Sequence, residues 1–390
     1  MASGAQTAFR PQTGSNAAPA GQAQQAIPFV QASKKGRQPA ITTTAVPATV
    51  AVTWGPNPLP ASGGYLRRIH LEVIATGGSA GTLAADAPWN AFNQIRLLEP
   101  NNTPIFDLSG YNAFLTNIFG GYDGVNDPRN DPDYSVSTGA NPVFEIYIPV
   151  EIDTTAVGAL ADLSSSSAFQ IYAAIAPQPT IWSAITGFPS LAISTYQDYW
   201  TLPNAYDQDN RPQATAPPFA GTIQLWSQLP NIGIASSQRV QLNRMGNQLR
   251  CVILVGRSAG VRAVNVIPNP LTLKWDDVIL TNSDLQTIRK TMREMTNGWA
   301  GTAADVGVFA LPYNEGVSRF VGGNGINSYL PTVTATRYEI SGPNSAGTPT
   351  VDFVVNEVSE APISAVQRTT VGGGVQFYPP APPPGGPGQM

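Results

Sequence analysis

The chain has 390 residues, a formal charge of −4 and only 12% charged side chains, about half the share usual for a soluble domain. That length supports two domains of about 150–200 residues, and the low charge predicts a surface largely covered by other copies of the chain. A single histidine and a single cysteine argue against an intrachain disulfide, a His-rich metal centre of the cupin kind, and Ser/His/Asp or Cys/His catalysis.

Residues 1–40 are rich in Ala, Gln, Gly and Pro and predict an extended N-terminal arm, with Phe9, Phe29 and Val30 as anchors. Arg10, Lys34, Lys35 and Arg37 give this arm a charge of +4 and leave −8 on the rest. Four charges are too sparse to package nucleic acid, and no sequence-specific nucleic-acid binding is expected. They fit weak attraction to an anionic surface such as lipid headgroups. Met1 to Ala20 lacks the apolar segment of a signal peptide, and Pro177, Pro179, Gly187 and Pro189 interrupt the uncharged run 163–197. The expectation is a cytoplasmic chain that does not enter a membrane.

A first domain is expected over 41–205. Val50 to Trp54 reads as a weak strand. Arg68, His70 and Glu72 alternate with Ile69, Leu71 and Val73, a strand with one wet and one buried face, which places His70 at the surface. Phe92–Leu98 is the next strand, ended by the Pro100-Asn101-Asn102 turn. Tyr111, Phe114, Leu115, Ile118 and Phe119 then form the apolar stripe of a helix, capped by Ser109 and stopped at Gly120-Gly121. The loop Asp123 to Asp133 is dense in oxygen ligands, and Asp123, Asp127 and Asp131 are weak metal candidates. Its Asp-Pro pairs are also ordinary turn chemistry. Three further strands follow at Val143–Ile152, Phe169–Ile175 and Leu191–Trp200. Residues 206–218, with Asp207, Asp209, Pro212, Pro217 and Pro218, read as a linker.

A second domain, 219–366, repeats the first. Leu66-Arg67, Ile69 and Leu71 recur 183 residues later as Leu249-Arg250, Val252 and Leu254. At the same offset Phe92, Ile95 and Leu97 match Trp275, Val278 and Leu280. A second helical stripe, Leu285, Ile288, Met292, Met295 and Trp299, is expected between an N-cap at Ser283 and a stop at Asn297-Gly298. Strands at Val306–Asn314, Val333–Ile340 and Val351–Val358 follow, with Pro312 matching Pro149. Cys251 reads as a buried strand residue. Asp276-Asp277, on opposite faces of a strand, cannot form an acid/base pair. Gly322-Gly323-Asn324-Gly325 lacks the context of a phosphate loop. Residues 367–390 form a Gly/Pro-rich tail, extended or disordered. The fold class is all-β, with two tandem eight-stranded jelly-roll sandwiches and short inserted helices. No catalytic or cofactor site is expected.

Trp89 to Tyr111 (WNAFNQIRLLEPNNTPIFDLSGY), Leu191 to Pro203 (LAISTYQDYWTLP) and the element order over about residues 45–365 resemble the double jelly-roll major capsid proteins of tectivirus-like, tailless phages with an internal membrane. The resemblance implies a non-enzymatic coat protein assembled in the host cytoplasm and found in the virion. Its pseudo-hexagonal homotrimers would contact neighbouring trimers, penton and minor capsid proteins. The arm residues Arg10, Lys34, Lys35 and Arg37 would face the internal membrane. The alternative is a tandem-sandwich carbohydrate-binding spike or adhesin, in which Trp182 or Tyr206 stacks on sugars.

Overall fold

A computed structural model describes residues 26–45, 49–79, 81–120, 143–152, 156–233, 240–242, 247–295, 306–313, 329–331, 338–341, 349–359, 367–371 and 374–378. In the first half, helix α1 (Phe29–Ala32) precedes β1 (Lys35–Ala45), β2 (Val52–Pro58), β3 (Gly64–Thr76), β4 (Gly81–Leu83), β5 (Phe92–Leu98) and β6 (Pro104–Leu108). Helix α2 (Gly110–Phe119) leads to β7 (Val143–Pro149), β8 (Leu160–Asp162), β9 (Gln170–Ile175), helix α3 (Gln178–Ile181), β10 (Trp182–Ile185) and β11 (Ser190–Thr201). One sheet runs β1-β11-β3-β7 and the other β6-β5-β9-β2. Leu71, Ile146 and Ile193 of the first meet Ile95, Ile171 and Ala173 of the second in one core, and the Phe92 and Phe144 rings touch edge to face across it.

The second half has the same plan. Its strands are β12 (Gln224–Gly233), β13 (Val240–Leu242), β14 (Gln248–Ser258), β15 (Val261–Arg262), β16 (Leu271–Trp275) and β17 (Val278–Ser283). After helix α4 (Leu285–Met295) come β18 (Val308–Pro312), β19 (Leu330–Pro331), β20 (Tyr338–Ser341) and β21 (Pro349–Val358). The sheets are β12-β21-β14-β18 and β13-β20-β16-β17. Each half therefore contributes eight strands in jelly-roll order. A hairpin of β22 (Gln367–Val371) and β23 (Gly374–Tyr378) lies in the expected tail.

The internal repeat is visible in the strand register. Arg68 pairs with Pro149 in the first roll, and Cys251 pairs with Pro312 in the second. Arg68 faces Asp198 across β11, and Cys251 faces Asn356 across β21. In both rolls the arginine just before, Arg67 or Arg250, sits in a β-bulge and is buried. The repeated Leu-Arg thus marks a conserved kink of the backbone within the molecule itself.

The match of Phe92, Ile95 and Leu97 to Trp275, Val278 and Leu280 is corrected. Leu97 pairs with Phe106, and Leu273 pairs with Thr281 across the equivalent hairpin. Leu97 therefore corresponds to Leu273, and the offset has fallen from 183 to 176. Val278 and Leu280 lie on β17, whose counterpart is β6, a strand that the sequence did not announce. Asp276-Asp277 form the two-residue turn between β16 and β17, not part of a strand; Asp276 has φ +46°, a conformation Asp tolerates.

The helices correspond as well. Ser109 Oγ caps α2 by accepting from Asn112 N. Asn117, with its amide oriented to its partners, donates to Tyr147 O at 2.8 Å and accepts from Tyr147 N at 3.1 Å. In the second roll Met292 Sδ takes that place and accepts from Ala310 N at 3.3 Å. Ser283 is the last residue of β17, so Asp284, not Ser283, precedes α4.

Candidate assembly surfaces

The two residues weighed for chemistry, His70 and Cys251, have structural surroundings. His70 is buried, which corrects its surface placement. Its ring stacks on Tyr147 with centroids 4.6 Å apart, and Nε2 lies 2.8 Å from Glu145 Oε2. Burial pushes the Cys251 thiol up to about 12. Burial also raises the Glu151 carboxyl, against the lowering pull of Arg67 and Trp200, which both donate to it. Among the described residues no group of three or more His, Cys, Asp or Glu is placed to hold a metal. Asp123, Asp127, Asp131 and the Gly322–Gly325 loop lie outside the described residues.

The two rolls are joined edge to edge. β6 runs parallel to β12, with Phe106 beside Trp226 and Asp107 beside Ser227, so sheets of both rolls merge into one. Buried polar groups on either side of the joint bond across it. Gln228 Oε1 accepts from Ser109 N at 2.9 Å and Asn112 Nδ2 at 2.7 Å. Gln224 Nε2 donates to the carbonyls of Val150 and Glu151. Arg250 Nη2 donates to Gly120 O at the C-terminal end of α2, where the helix dipole favours a cation.

A buried ion cluster locks the joint at another point. Asp86, in a loop of the first roll, lies 2.5 Å from Arg257 and 2.5 Å from Arg262 of the second. Arg257 also reaches Asp352 at 3.4 Å, and the Tyr111 ring lies under both guanidiniums. Burial alone would lower the Arg257 pKa, but Asp86 and Asp352 outweigh it and raise it. This cluster has no local signature in the sequence, since its members come from separate loops and strands. The repeated Arg67 and Arg250 were visible as a motif, although their buried role was not.

At the outer edges the same elements are uncovered. All ten residues of α2 are buried, whereas α4 exposes Gln286, Thr287, Lys290 and Arg293. Among the described residues β17 has β16 as its only strand partner, and β1 has only β11. β17 presents Val278, Ile279 and Leu280 to solvent, beside a cavity of about 390 Å³ lined by Leu273, Leu280, Ile288 and Leu330.

The basic residues of the expected arm divide. Arg10 lies outside the described residues. Residues 35–40 form the first part of β1, not an extended arm, because main-chain pairing to β11 holds them. Lys34 and Thr201 exchange hydrogen bonds at the start of this strand. The Lys35 ammonium sits 5.0 Å from the Trp200 ring centre, and Arg37 is 2.6 Å from Asp198. Of the aromatics considered for sugar stacking, Trp182 is buried and Tyr206 is exposed.

No family model and no curated protein matches the sequence. Solved structures do match. The STIV MCP superposes with a TM-score of 0.58 at 12% identity, covering 84% of this chain and 97% of that one. PBCV-1 VP54, fitted into a reconstruction of the virophage Sputnik, gives 0.59 at 12% identity, covering 84% and 93%. The major capsid protein P2 from bacteriophage PM2 gives 0.50 at 9% identity, covering 84% and 99%. The chain therefore has the double jelly-roll fold that these capsid proteins share.

Proposed function

We propose that this chain is a major capsid protein, assembling as pseudo-hexagonal homotrimers that tile an icosahedral shell over an internal membrane. The observation that carries the reading is the pair of equivalent jelly rolls joined edge to edge, in the fold of viral coat proteins. Two like rolls per chain give three chains six similar outer sides for packing against neighbouring trimers, with penton and minor proteins closing the shell. The 12% charge content is consistent with a surface covered after assembly. Arg10 and Lys34, near the N-terminus, supply positive charge for anionic headgroups; Lys35 and Arg37 are committed to β1, so the membrane contact falls mainly to residues before it.

Light scattering coupled to size exclusion tests the assembly. A particle of three 41.1 kDa chains, or a larger shell, is expected at micromolar concentration, and a stable monomer refutes the reading. Co-sedimentation with phosphatidylserine vesicles at low salt tests the membrane contact: deletion of residues 1–25, which removes Arg10 but keeps Lys34, is expected to weaken it. Binding that is unchanged by the deletion would assign the contact elsewhere.

A further inference from the structure

The joint between the two rolls is a template for a joint between chains. Its two members are the edge strands β6 and β12. Their counterparts in the repeat, β17 and β1, each have a single strand partner among the described residues. The correspondence is fixed residue by residue. β6 is bulged at Ile105 against β5, and β17 is bulged at Leu280 against β16. Each strand runs, one residue later, into the helix of its roll. On the other side, Trp226 faces Asn356 on β21 and Arg37 faces Asp198 on β11, at equivalent rungs.

Exposure separates the covered copy from the uncovered one. Ile105 is 3% exposed beneath β12, whereas Leu280 is 39% exposed. Val278 and Ile279, at 65% and 54%, continue an apolar edge that carries neither the charge nor the proline by which edge strands usually avoid pairing. β17 cannot reach β6 or β12, which already hold each other.

We propose that β17 of one chain pairs in parallel with β1 of a second copy, with Thr281 beside Arg37 and Asn282 beside Gln38. The contact is head to tail, so each chain offers one donor edge and one acceptor edge, and repetition closes a ring when the rotation from copy to copy closes, as the proposed trimer requires. The cavity beside Leu280 lies on the same uncovered side and would be closed by the incoming roll. This inference rests on the reading of the chain as a self-assembling coat protein and specifies how its copies join.

The test is a disulfide across the joint. Parallel partners lie within the Cα separation that a disulfide spans. Native Cys251 is buried and does not compete. The double variant Gln38→Cys/Asn282→Cys, oxidised and run without reductant, is expected to shift from one chain to species of two and three chains. Each single variant is expected to stay at one chain. Trimers by light scattering without cross-links overturn this joint but leave the coat-protein reading standing. Monomers overturn both. A dimer formed by Asn282→Cys alone shows β17 paired with itself and overturns the proposal. Hydrogen exchange on the unaltered protein gives a check that needs no variant: amides of Ile279 to Asn282 are expected to slow about 100-fold on assembly. Unslowed exchange in the assembled particle overturns the proposal.

Discussion

Replacing Asp86 with Asn isolates the electrostatic part of the joint between the rolls. Asn keeps the shape of the side chain and tolerates the φ of +68° at this position, so the backbone is not the variable. The Asp86 side chain is 5% exposed and those of Arg257 and Arg262 are 15% exposed, so solvent screens the contacts little. Removing one partner of a buried ion pair costs about 3–5 kcal/mol, because the other charge is left desolvated. Arg257 keeps Asp352 at 3.4 Å and Arg262 keeps Val306 O at 3.2 Å, which places the expected loss at the low end, about 3 kcal/mol. With a urea m-value of about 3 kcal/mol/M, the midpoint falls by about 1 M. The assay is urea unfolding followed by tryptophan fluorescence, with Asp86→Asn, Arg262→Leu and the double variant forming a cycle. A coupling energy above about 1 kcal/mol is expected for groups in direct contact. A loss below about 1 kcal/mol for Asp86→Asn, or strict additivity in the cycle, would show that the cluster does not hold the rolls together.

Three further outcomes follow from the geometry. Gly110→Ala places a Cβ 2.0 Å from the carbonyl oxygen of Trp89, a backbone atom, and is expected to destabilise by about 2 kcal/mol or more in thermal melts; an unchanged Tm refutes the close approach. Cys251, its thiol pushed up to about 12, is expected to resist Ellman's reagent at pH 8 in the native protein and to react fully in urea; native labelling within minutes refutes its burial. Burial would raise the Asp198 pKa, but Arg37 and Arg68 outweigh it and lower it. The native carboxyl then binds fewer protons than the unfolded one, so its stabilisation is present above the unfolded pKa of about 3.9 and is lost as pH falls through the native value. Asp198→Asn should therefore be destabilised at pH 7, with the gap to wild type shrinking in urea titrations at pH 3; a constant gap refutes the assignment.

The parts of the fold legible in the sequence are those with a local physical signature. β3 and β14 were readable because apolar runs were anchored by the same Leu-Arg pair, and Pro149 and Pro312 then fell at the same rung. α2 was readable from its stripe and its Ser109 cap. What lay beyond the stripe was not, for Asn112, Thr116 and Asn117 are also buried, Asn112 on Gln228 of the second roll and Asn117 on the Tyr147 backbone of β7. Its lack of any charge was the available signal. The mismatch of β5 with Val278 and Leu280 arose because 42% of the chain is apolar, so hydrophobic matches occur in several registers. Burial distinguishes them, and burial depends on the neighbouring roll. His70 misled for a different reason: alternation placed it on a wet face, which Tyr147 and Tyr196 of its own roll cover. Of the assembly surfaces, the repeat predicted that two like rolls exist, while the edges left open required the strand order.

The contrast between α2 and α4 records when each surface meets water. The two rolls share one chain, so α2 finds its partner at the high effective concentration of an intramolecular contact. Its sequence, GYNAFLTNIF, is free of charge because, once the chain has folded, that face is never solvated again. α4 occupies the same place in the other roll yet carries Arg289, Lys290 and Arg293, as suits a helix that stays hydrated in the isolated chain. Duplication gave one element two careers, one permanent and one deferred. It also sets an order of events: in a nascent chain halted after β11, α2 can already pack on β7, but Asn112 has no Gln228 to bond until the second roll is made.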